Sequence, residues 1–285
     1  MGAGLMGAQI GCEYALGGHD VTALARHPDG AEQRVRASLE TVTELGLAAA
    51  EDVAAAEARI GFASDASSSG WDLVVESVPE DAELKAALLR PLAAGSPAAV
   101  LATNTSSLSI TALGEAIGAP ERTIGTHYWN PPLLMPLVEV VAGERTAPEA
   151  VELVRETLTA LGKRPVFVSD VPGFVWNRIQ MAVLREAAWI VEHGAASPDS
   201  VDEILTYGLA RRWRNIGFFK AIALGGVDTW QRTSANLLPE LSAATELPDL
   251  RQWTEDPSAL ADVAARRDEG LARDLIEERS EHARR

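Results

Sequence analysis

The chain has little cysteine and no long apolar run. Cys12 is the only cysteine among the 285 residues, which excludes a disulfide framework and a metal cluster built on cysteines. The apolar runs stay below the roughly 18 residues that a membrane-spanning helix requires, and we expect no signal peptide. We therefore expect a cytoplasmic protein with no membrane partner.

Positive charge is also scarce, with 25 Lys and Arg against 41 Asp and Glu and a net charge of −16. Proteins that bind nucleic acids present a basic face to the phosphates, so we expect no nucleic-acid partner. The length and the apolar content of 47% are typical of one large or two ordinary globular domains.

The chain opens on a glycine motif, Gly2-Ala3-Gly4-Leu5-Met6-Gly7, which matches the G-x-G-x-x-G fingerprint of dinucleotide-binding sites. The first glycine permits a tight turn, the second lets the backbone approach a pyrophosphate, and the third lets helix and strand pack closely. The motif alone is weak, because a flexible terminus can have the same composition. A predicted helix at Ala8–Leu16 and a strand at Val21–Ala25 follow it, and this context favours part of a β-α-β unit.

A complete β-α-β unit also requires an apolar strand before Gly2, and only Met1 precedes that residue. Without this strand two neighbouring strands would lose their hydrogen-bond partner. We therefore expect the native chain to start roughly 5–8 residues earlier, which is about one strand length.

The end of the second strand bears on the choice of cofactor. Sites specific for NAD place Asp or Glu there to bind the ribose 2′-hydroxyl. This chain has Ala25-Arg26-His27 instead, and Arg26 can pair with a 2′-phosphate. The loop therefore favours NADP over NAD; the alternative is that Arg26 is a solvated surface charge.

Further along the chain, apolar runs and helical patterns predict an α/β domain over residues 1–169. Asn104-Thr105-Ser106-Ser107 follows a predicted strand, where such sheets bind ligands, although the same residues are also typical of a helix N-cap. From Pro172 onward helical patterns dominate, which predicts an all-helical domain over residues 170–285. The predicted elements are strands at Ile60–Ala63, Trp71–Val78, Val100–Thr103, Leu137–Val141 and Pro165–Val168, and helices at Ala31–Ala58, Ile110–Ile117, Thr146–Gly162, Gly173–His193, Ser197–Gly208 and Ala259–Arg285.

One histidine and one carboxylate suggest acid–base chemistry. His127 precedes the turn Asn130-Pro131-Pro132, and Glu139 is the one charge within the apolar run of the next predicted strand. A buried carboxylate needs a partner, and His127 is the obvious one. Such a carboxylate would fix the imidazole tautomer and leave the other ring nitrogen for proton transfer. A satisfied core histidine beside an edge-strand glutamate is the alternative.

A cluster of arginines, Arg211-Arg212-Trp213-Arg214, stands out in so acidic a chain. Concentrated guanidinium groups are typical of an anion site for a carboxylate or a phosphate. A solvated helix end has the same composition, so both interpretations stay open.

Taken together, these segments resemble the 3-hydroxyacyl-CoA dehydrogenase family over essentially the whole chain. The segments that carry the resemblance agree in order and spacing as well as in content. They are Gly2–Gly7, Asp72–Glu76, Asn104–Ser107, His127 with Asn130-Pro131, Leu137–Val140, and Pro172–Val175 with Asn177-Arg178.

The resemblance implies a role for each matching position. His127 would be the general base that takes the proton from a substrate 3-hydroxyl, and Glu139 would orient it. Ser106 and Asn177 would bind the substrate oxygens with support from Asn130, while Arg212 would pair with a substrate carboxylate or carrier phosphate. A bound NAD(P) would accept the hydride. The positions on the cofactor side would be Gly2, Gly4, Leu5, Met6, Gly7, Arg26, Glu80, Lys85 and Asn104.

Several segments are closer to the lambda-crystallin, L-gulonate 3-dehydrogenase and carnitine dehydrogenase branch of that family, among them Ser77–Asp81 and Asn177–Gln180. The leading interpretation is a dehydrogenase of 3-hydroxyacyl-CoA or of an acyl-carrier thioester, with a place in fatty acid metabolism. The second keeps the chemistry but takes a small free hydroxy acid. The third is a non-catalytic dinucleotide-binding protein. The resemblance also implies a homodimer formed through the helical domain.

Overall fold

The computed structural model describes residues 1–65, 70–254 and 257–283. The chain divides into two compact units. The first comprises Met1–Trp176 together with Ala261–Arg285, and the second comprises Asn177–Leu260. The C-terminal helix thus clusters with the N-terminal residues.

Seven strands of the first unit form two sheets. The smaller sheet pairs β1 with β2, and the larger has the order β3-β4-β5-β6-β7. All neighbouring strands are parallel except β5 and β6, which are antiparallel. The strands are β1 (Val21–Leu24), β2 (Ile60–Ala63), β3 (Leu73–Glu76), β4 (Val100–Thr103), β5 (Thr123–Tyr128), β6 (Leu137–Ala142) and β7 (Arg164–Ser169).

Twelve α-helices lie in the described residues, and a helical region follows the sheets. This confirms the predicted fold class, an α/β Rossmann-like domain followed by a helical C-terminal domain. The helices are α1 (Leu5–Leu16), α2 (Pro28–Glu44), α3 (Ala50–Ala58), α4 (Ala82–Gly95), α5 (Ile110–Ile117), α6 (Pro148–Ala160), α7 (Trp176–Glu192), α8 (Pro198–Glu203), α9 (Arg211–Ile216), α10 (Phe218–Gly225), α11 (Val227–Leu237) and α12 (Ala261–Ala283).

The larger sheet carries apolar side chains on both faces. In β4, Val100 and Ala102 pack with α1 and α6, whereas Leu101 packs with α4 and α5 on the opposite face. Successive side chains of a strand point to opposite faces, so a strand covered on both sides must be apolar throughout. This explains why β4 reads as a continuous apolar run.

Two helix predictions were wrong in their boundaries. The predicted helix Ala31–Ala58 is interrupted, because α2 ends at Glu44 and Gly46 adopts a positive φ of 66° that no helix contains. The helix predicted to stop at Gly208 instead continues through a π-helical segment, Ile204–Ala210, into α9. It ends at Gly217, whose φ is 70°. A glycine therefore ends a helix here where its backbone turns left-handed.

The first residues connect the two sheets. The Gly2 amide donates to the Leu24 carbonyl at 3.0 Å, and the Ser77 amide donates to the Met1 carbonyl at 2.9 Å. Alongside them, a cavity of about 560 Å³ lies between β1 and β3, lined by both strands and by the inner face of α1. The further strand that the glycine motif predicts at this place stays a prediction.

The loop between β5 and β6 is held by one buried lysine. The Lys163 ammonium donates to the carbonyls of Pro132 and Met135, at 2.7 and 2.8 Å. It also forms an ion pair with the buried carboxylate of Glu13 at 2.5 Å, which links the loop to α1. Because β5 and β6 flank this loop, Lys163 helps to set how the two strands meet.

Replacing Lys163 with methionine should lower the free energy of unfolding by about 3–5 kcal/mol, since Glu13 would keep a buried charge without its partner. Urea denaturation of the whole chain measures this. The control is Lys220→Met, because Lys220 is exposed on α10 and should change stability little. A loss below about 1 kcal/mol, the range of exposed ion pairs, would contradict this account of Lys163.

Candidate active site

The antiparallel register of β5 and β6 places His127 directly opposite Glu139. Side chains at such paired positions are close neighbours on one face of a sheet. The imidazole Nδ1 lies 2.8 Å from the carboxylate Oε2 of Glu139. Both residues are buried, with 5% and 2% of their surface exposed. The strand pairing alone therefore forms the histidine–carboxylate pair that the sequence predicts.

Both oxygens of Glu139 have partners. Its Oε1 accepts hydrogen bonds from the amides of Val175 and Trp176, at 3.1 and 2.9 Å. Burial opposes ionisation, but the hydrogen bonds from His127 and from these amides outweigh it and lower the pKa of Glu139. An ionised carboxylate requires a proton on Nδ1, so Nε2 of His127 is the acceptor that remains for a substrate hydroxyl.

The turn that supplies these amides is strained. Phe174 has a positive φ of 49°, which is uncommon for a bulky residue, and its side chain is buried. Its ring centroid lies 5.8 Å from that of His127. The conformation serves the site twice, because it packs an aromatic ring on the imidazole and aims the next two amides at Glu139.

The loop after β4 is organised by Glu80. The carboxylate Oε1 of Glu80 accepts hydrogen bonds from the Thr105 hydroxyl at 2.6 Å and from the amides of Ser106 and Ser107 at 2.9 and 3.0 Å. Burial opposes ionisation of Glu80, but these bonds and nearby Lys85 lower its pKa. The charge of Glu80 thus fixes the loop that carries the exposed residue Ser106.

The same loop is tied to the strand of His127. The Tyr128 amide donates to the side-chain oxygen of Asn104 at 2.8 Å, one residue beyond His127. Ser106 and the histidine therefore lie on two segments joined by a hydrogen bond. A direct bond from Ser106 to a substrate stays a prediction, and so does one from Asn130, which is exposed in the turn after β5.

The glycine motif has the geometry of a pyrophosphate site. Gly2 has a φ of 79°, and a Cβ at Gly7 would lie 2.2 Å from the Gly2 carbonyl oxygen, so neither position accepts a side chain. A Cβ at Gly4 would meet no atom within 4 Å, which leaves space for a ligand. The first turn of α1 holds no acidic residue, and its amides are oriented to bind an anion. These residues fit NAD.

Lys85 is more buried than its predicted role suggests. Its side chain is 1% exposed, and its ammonium donates to both carboxylate oxygens of Glu76 at 2.9 and 3.1 Å and to the Val78 carbonyl at 3.1 Å. The Thr103 hydroxyl donates to the same carboxylate at 2.7 Å. Lys85 therefore stabilises the ends of β3 and β4, and a direct contact with the cofactor stays a prediction.

Two arginines lie on the segment after β1, where the sequence predicts the cofactor ribose. Arg26 is exposed just beyond β1. Arg34, which the sequence analysis missed, donates from Nε to the Ala3 carbonyl of the glycine loop at 2.8 Å. The signal for Arg34 was its place on α2, about two turns beyond the exposed loop. Asn177 and Arg212 belong to the second unit, and their approach to His127 stays a prediction.

Other kinds of site find no support in the described part of the chain. Within residues 1–65, 70–254 and 257–283, His, Cys, Asp and Glu form no group that could hold a metal ion. Over the same residues, no helix is long and apolar enough to cross a bilayer.

The sequence matches two family descriptions that together span most of the chain. Residues 1–171 match the NAD binding domain of 3-hydroxyacyl-CoA dehydrogenase, and residues 173–257 match its C-terminal domain. The first match includes the glycine loop, His127 and Glu139.

Individual proteins of different specificity are similar to this chain. An L-carnitine dehydrogenase of a Pseudomonas species is 35% identical over 266 residues, covering 90% of this chain and 79% of that protein. A probable 3-hydroxybutyryl-CoA dehydrogenase of Deinococcus radiodurans is 39% identical over 215 residues, covering 73% and 77%.

A crystal structure of 5-formyl-3-hydroxy-2-methylpyridine 4-carboxylic acid 5-dehydrogenase, described as an NAD⁺-dependent dismutase, superposes with a TM-score of 0.86 at 31% identity. The superposition covers 96% of each chain. With this full-length likeness and the two family matches, the chain belongs to the 3-hydroxyacyl-CoA dehydrogenase family, as an oxidoreductase with an NAD-binding Rossmann domain that acts on hydroxyl groups.

Proposed function

We propose that this protein is an NAD-dependent dehydrogenase that interconverts the hydroxyl group of a small free hydroxy acid and the corresponding carbonyl. The buried pair of His127 and Glu139 carries the proposal, because it provides an oriented base whose free Nε2 can accept the hydroxyl proton. A bare dinucleotide-binding protein has no need of such a pair.

The proposed reaction divides between the protein and the cofactor. His127 takes the proton from the substrate hydroxyl, and the adjacent charge of Glu139 stabilises the imidazolium that forms. Bound NAD supplies the acceptor for the hydride that leaves the same carbon. Ser106 and Asn177 donate hydrogen bonds to the substrate oxygen, Asn130 supports the turn beside it, and Arg212 binds the substrate carboxylate.

The preference for a free acid is supported by the extent of the similarities together with the TM-score. A 3-hydroxyacyl-CoA dehydrogenase of Archaeoglobus fulgidus also matches 96% of this chain, but with a TM-score of 0.69 against 0.86 for the pyridine carboxylic acid dehydrogenase. The pyridine carboxylic acid dehydrogenase matches 96% of this chain, and the carnitine dehydrogenase matches 90%. Both names describe small, free carboxylic acids. The 3-hydroxybutyryl-CoA enzyme matches 73%.

An acyl thioester is the second candidate substrate, because the 3-hydroxybutyryl-CoA enzyme has the higher sequence identity, 39%, within the part that it matches. Initial rates with NAD decide between the two. We expect a higher kcat/KM for 3-hydroxybutanoate or L-carnitine than for 3-hydroxybutyryl-CoA. A higher kcat/KM for 3-hydroxybutyryl-CoA would overturn the proposed substrate class, while the proposed type of reaction would still hold.

We also propose a homodimer that forms through the second unit. This unit exposes large apolar side chains, among them Tyr207, Phe219 and Leu224. Large exposed apolar patches mark protein interfaces, and these side chains would contribute to such a patch. A cytoplasmic location belongs to the same proposal.

Replacing His127 with alanine should lower kcat by about 10²–10⁴, the usual effect of losing a general base. The affinity for NADH, measured by fluorescence titration, should stay the same, since His127 lies outside the glycine loop. Near-normal turnover in this variant would overturn the assignment of the base. His193→Ala is the matched control, because His193 lies in the second unit and stacks on Trp189.

Kinetics with NAD and with NADP test whether Arg26 binds the 2′-phosphate of NADP. If its guanidinium binds the 2′-phosphate, Arg26→Ala should raise KM for NADP by about tenfold, as expected for one charge-assisted hydrogen bond, and leave KM for NAD unchanged. Arg36→Ala is the control, since exposed Arg36 pairs with Glu32 on α2. An unchanged ratio of the two KM values would show that Arg26 does not read the phosphate.

A further inference from the structure

Two tryptophans of the first unit stack on each other beside the acid–base pair. The rings of Trp129 and Trp176 have centroids 3.9 Å apart and planes inclined by 26°. The Trp176 amide donates to Glu139, and Trp129 follows His127 by two residues. The stacked pair is therefore connected to the catalytic residues on both sides.

The distance between this pair and the base suits a small substrate. Trp129 is the first residue after β5, and two residues of extended chain span about 7 Å. A ring lying on an indole face at about 4 Å would hold an attached carbinol carbon within reach of Nε2 of His127. A substrate ring on the stacked pair would therefore lie close enough to His127 for proton transfer.

The pair also offers an open surface. Trp176 is 36% exposed, although its neighbour Phe174 is 1% exposed. The indole N–H of Trp129 is buried and has no acceptor among the described residues. Stacking, rather than a hydrogen bond from this group, thus holds the two rings together. Trp176 thus keeps part of a flat apolar ring accessible to a ligand, next to the carboxylate that binds His127.

The arrangement of the rings discriminates between ligand types. A quaternary ammonium group is bound best when several aromatic faces surround it. Trp129 and Trp176 cover each other, so they present a single face to any one ligand and form no cage. A flexible aliphatic chain gains no directional contact from such a face, whereas a planar ring stacks on it in an offset geometry.

We infer that Trp129 and Trp176 bind the planar ring of an aromatic or heteroaromatic hydroxy acid and hold its carbinol carbon next to His127. This inference rests on the proposed function and narrows its substrate class. Trp176 carries the contact, and Trp129 sets the orientation of Trp176. The expected gain from one aromatic stack is about 3- to 10-fold in affinity.

Binding of two matched probes tests the inference without turnover. Benzoate and cyclohexanecarboxylate have the same charge and the same carbon count, but only benzoate is planar. Each is titrated into the whole protein saturated with NADH and followed by calorimetry. We expect benzoate to bind about 3- to 10-fold more tightly. Equal affinities, or tighter binding of cyclohexanecarboxylate, would overturn the inference.

Variants assign the preference to the stacked pair. In Trp176→Leu and in Trp129→Leu the ratio of the two affinities should fall to about one, while Trp176→Phe should retain it because a ring remains. The control is Trp189→Leu, since Trp189 stacks on His193 in the second unit. Both affinities are measured on the same protein sample, so a variant that is partly unfolded still gives the correct ratio of the affinity for benzoate to that for cyclohexanecarboxylate. If Trp176→Leu still bound benzoate more tightly than cyclohexanecarboxylate, the benzoate ring would bind elsewhere and the assignment would be overturned.

Oxidation rates show whether a failure lies in the ring preference or in the proposed dehydrogenase function on which it rests. The substrates are 3-hydroxy-3-phenylpropanoate and its cyclohexyl analogue, with NAD. Turnover of both at equal kcat/KM would overturn the ring preference and leave the proposed function intact. Planar selectivity in binding without oxidation of any free acid would overturn the proposed function and keep the ring site. Faster oxidation of the phenyl compound supports both.

Discussion

The hydrogen bond between His127 and Glu139 depends on a change of strand direction in the larger sheet. A parallel partner would require a crossover connection, whereas the antiparallel β6 returns after a short loop and places Glu139 opposite His127. Lys163 fixes that loop through two carbonyls, and the strained turn at Phe174 holds the second carboxylate oxygen. The acid–base pair is therefore a product of the sheet topology.

Carboxylates, whether buried as in Glu76 or more exposed as in Glu80 and Asp170, play the same structural part in several places of this acidic chain. Glu76 meets Lys85 and Thr103, Glu80 binds the loop of Ser106, and Asp170 accepts hydrogen bonds from the amide and hydroxyl of Thr111 at 2.9 and 2.8 Å. Each charge joins segments that are distant in sequence. The segments around the site are thus fixed by charge-assisted hydrogen bonds, which are stronger than neutral ones.

The sequence predicted those features that depend on local residue types. The glycine motif needed specific residues at Gly2 and Gly7, and the charge of Glu139 within an apolar strand required a partner. The features that it missed depend on tertiary pairing. Neither the antiparallel direction of β6 nor the bond from Arg34 to the glycine loop follows from periodicity. The stacking of Trp129 on Trp176 joins residues 47 positions apart (176 minus 129), beyond any local pattern.

The central claim is that the charge of Glu139 prepares His127 to accept a proton. The most direct test is kcat/KM for alcohol oxidation in the wild type and in Glu139→Gln, each measured where its rate does not depend on pH. Without the carboxylate the imidazolium that forms in the reaction loses its stabilisation and Nδ1 loses the group that fixes its proton, so the rate should fall by about 10²–10⁴. A near-normal rate in Glu139→Gln would contradict the claim.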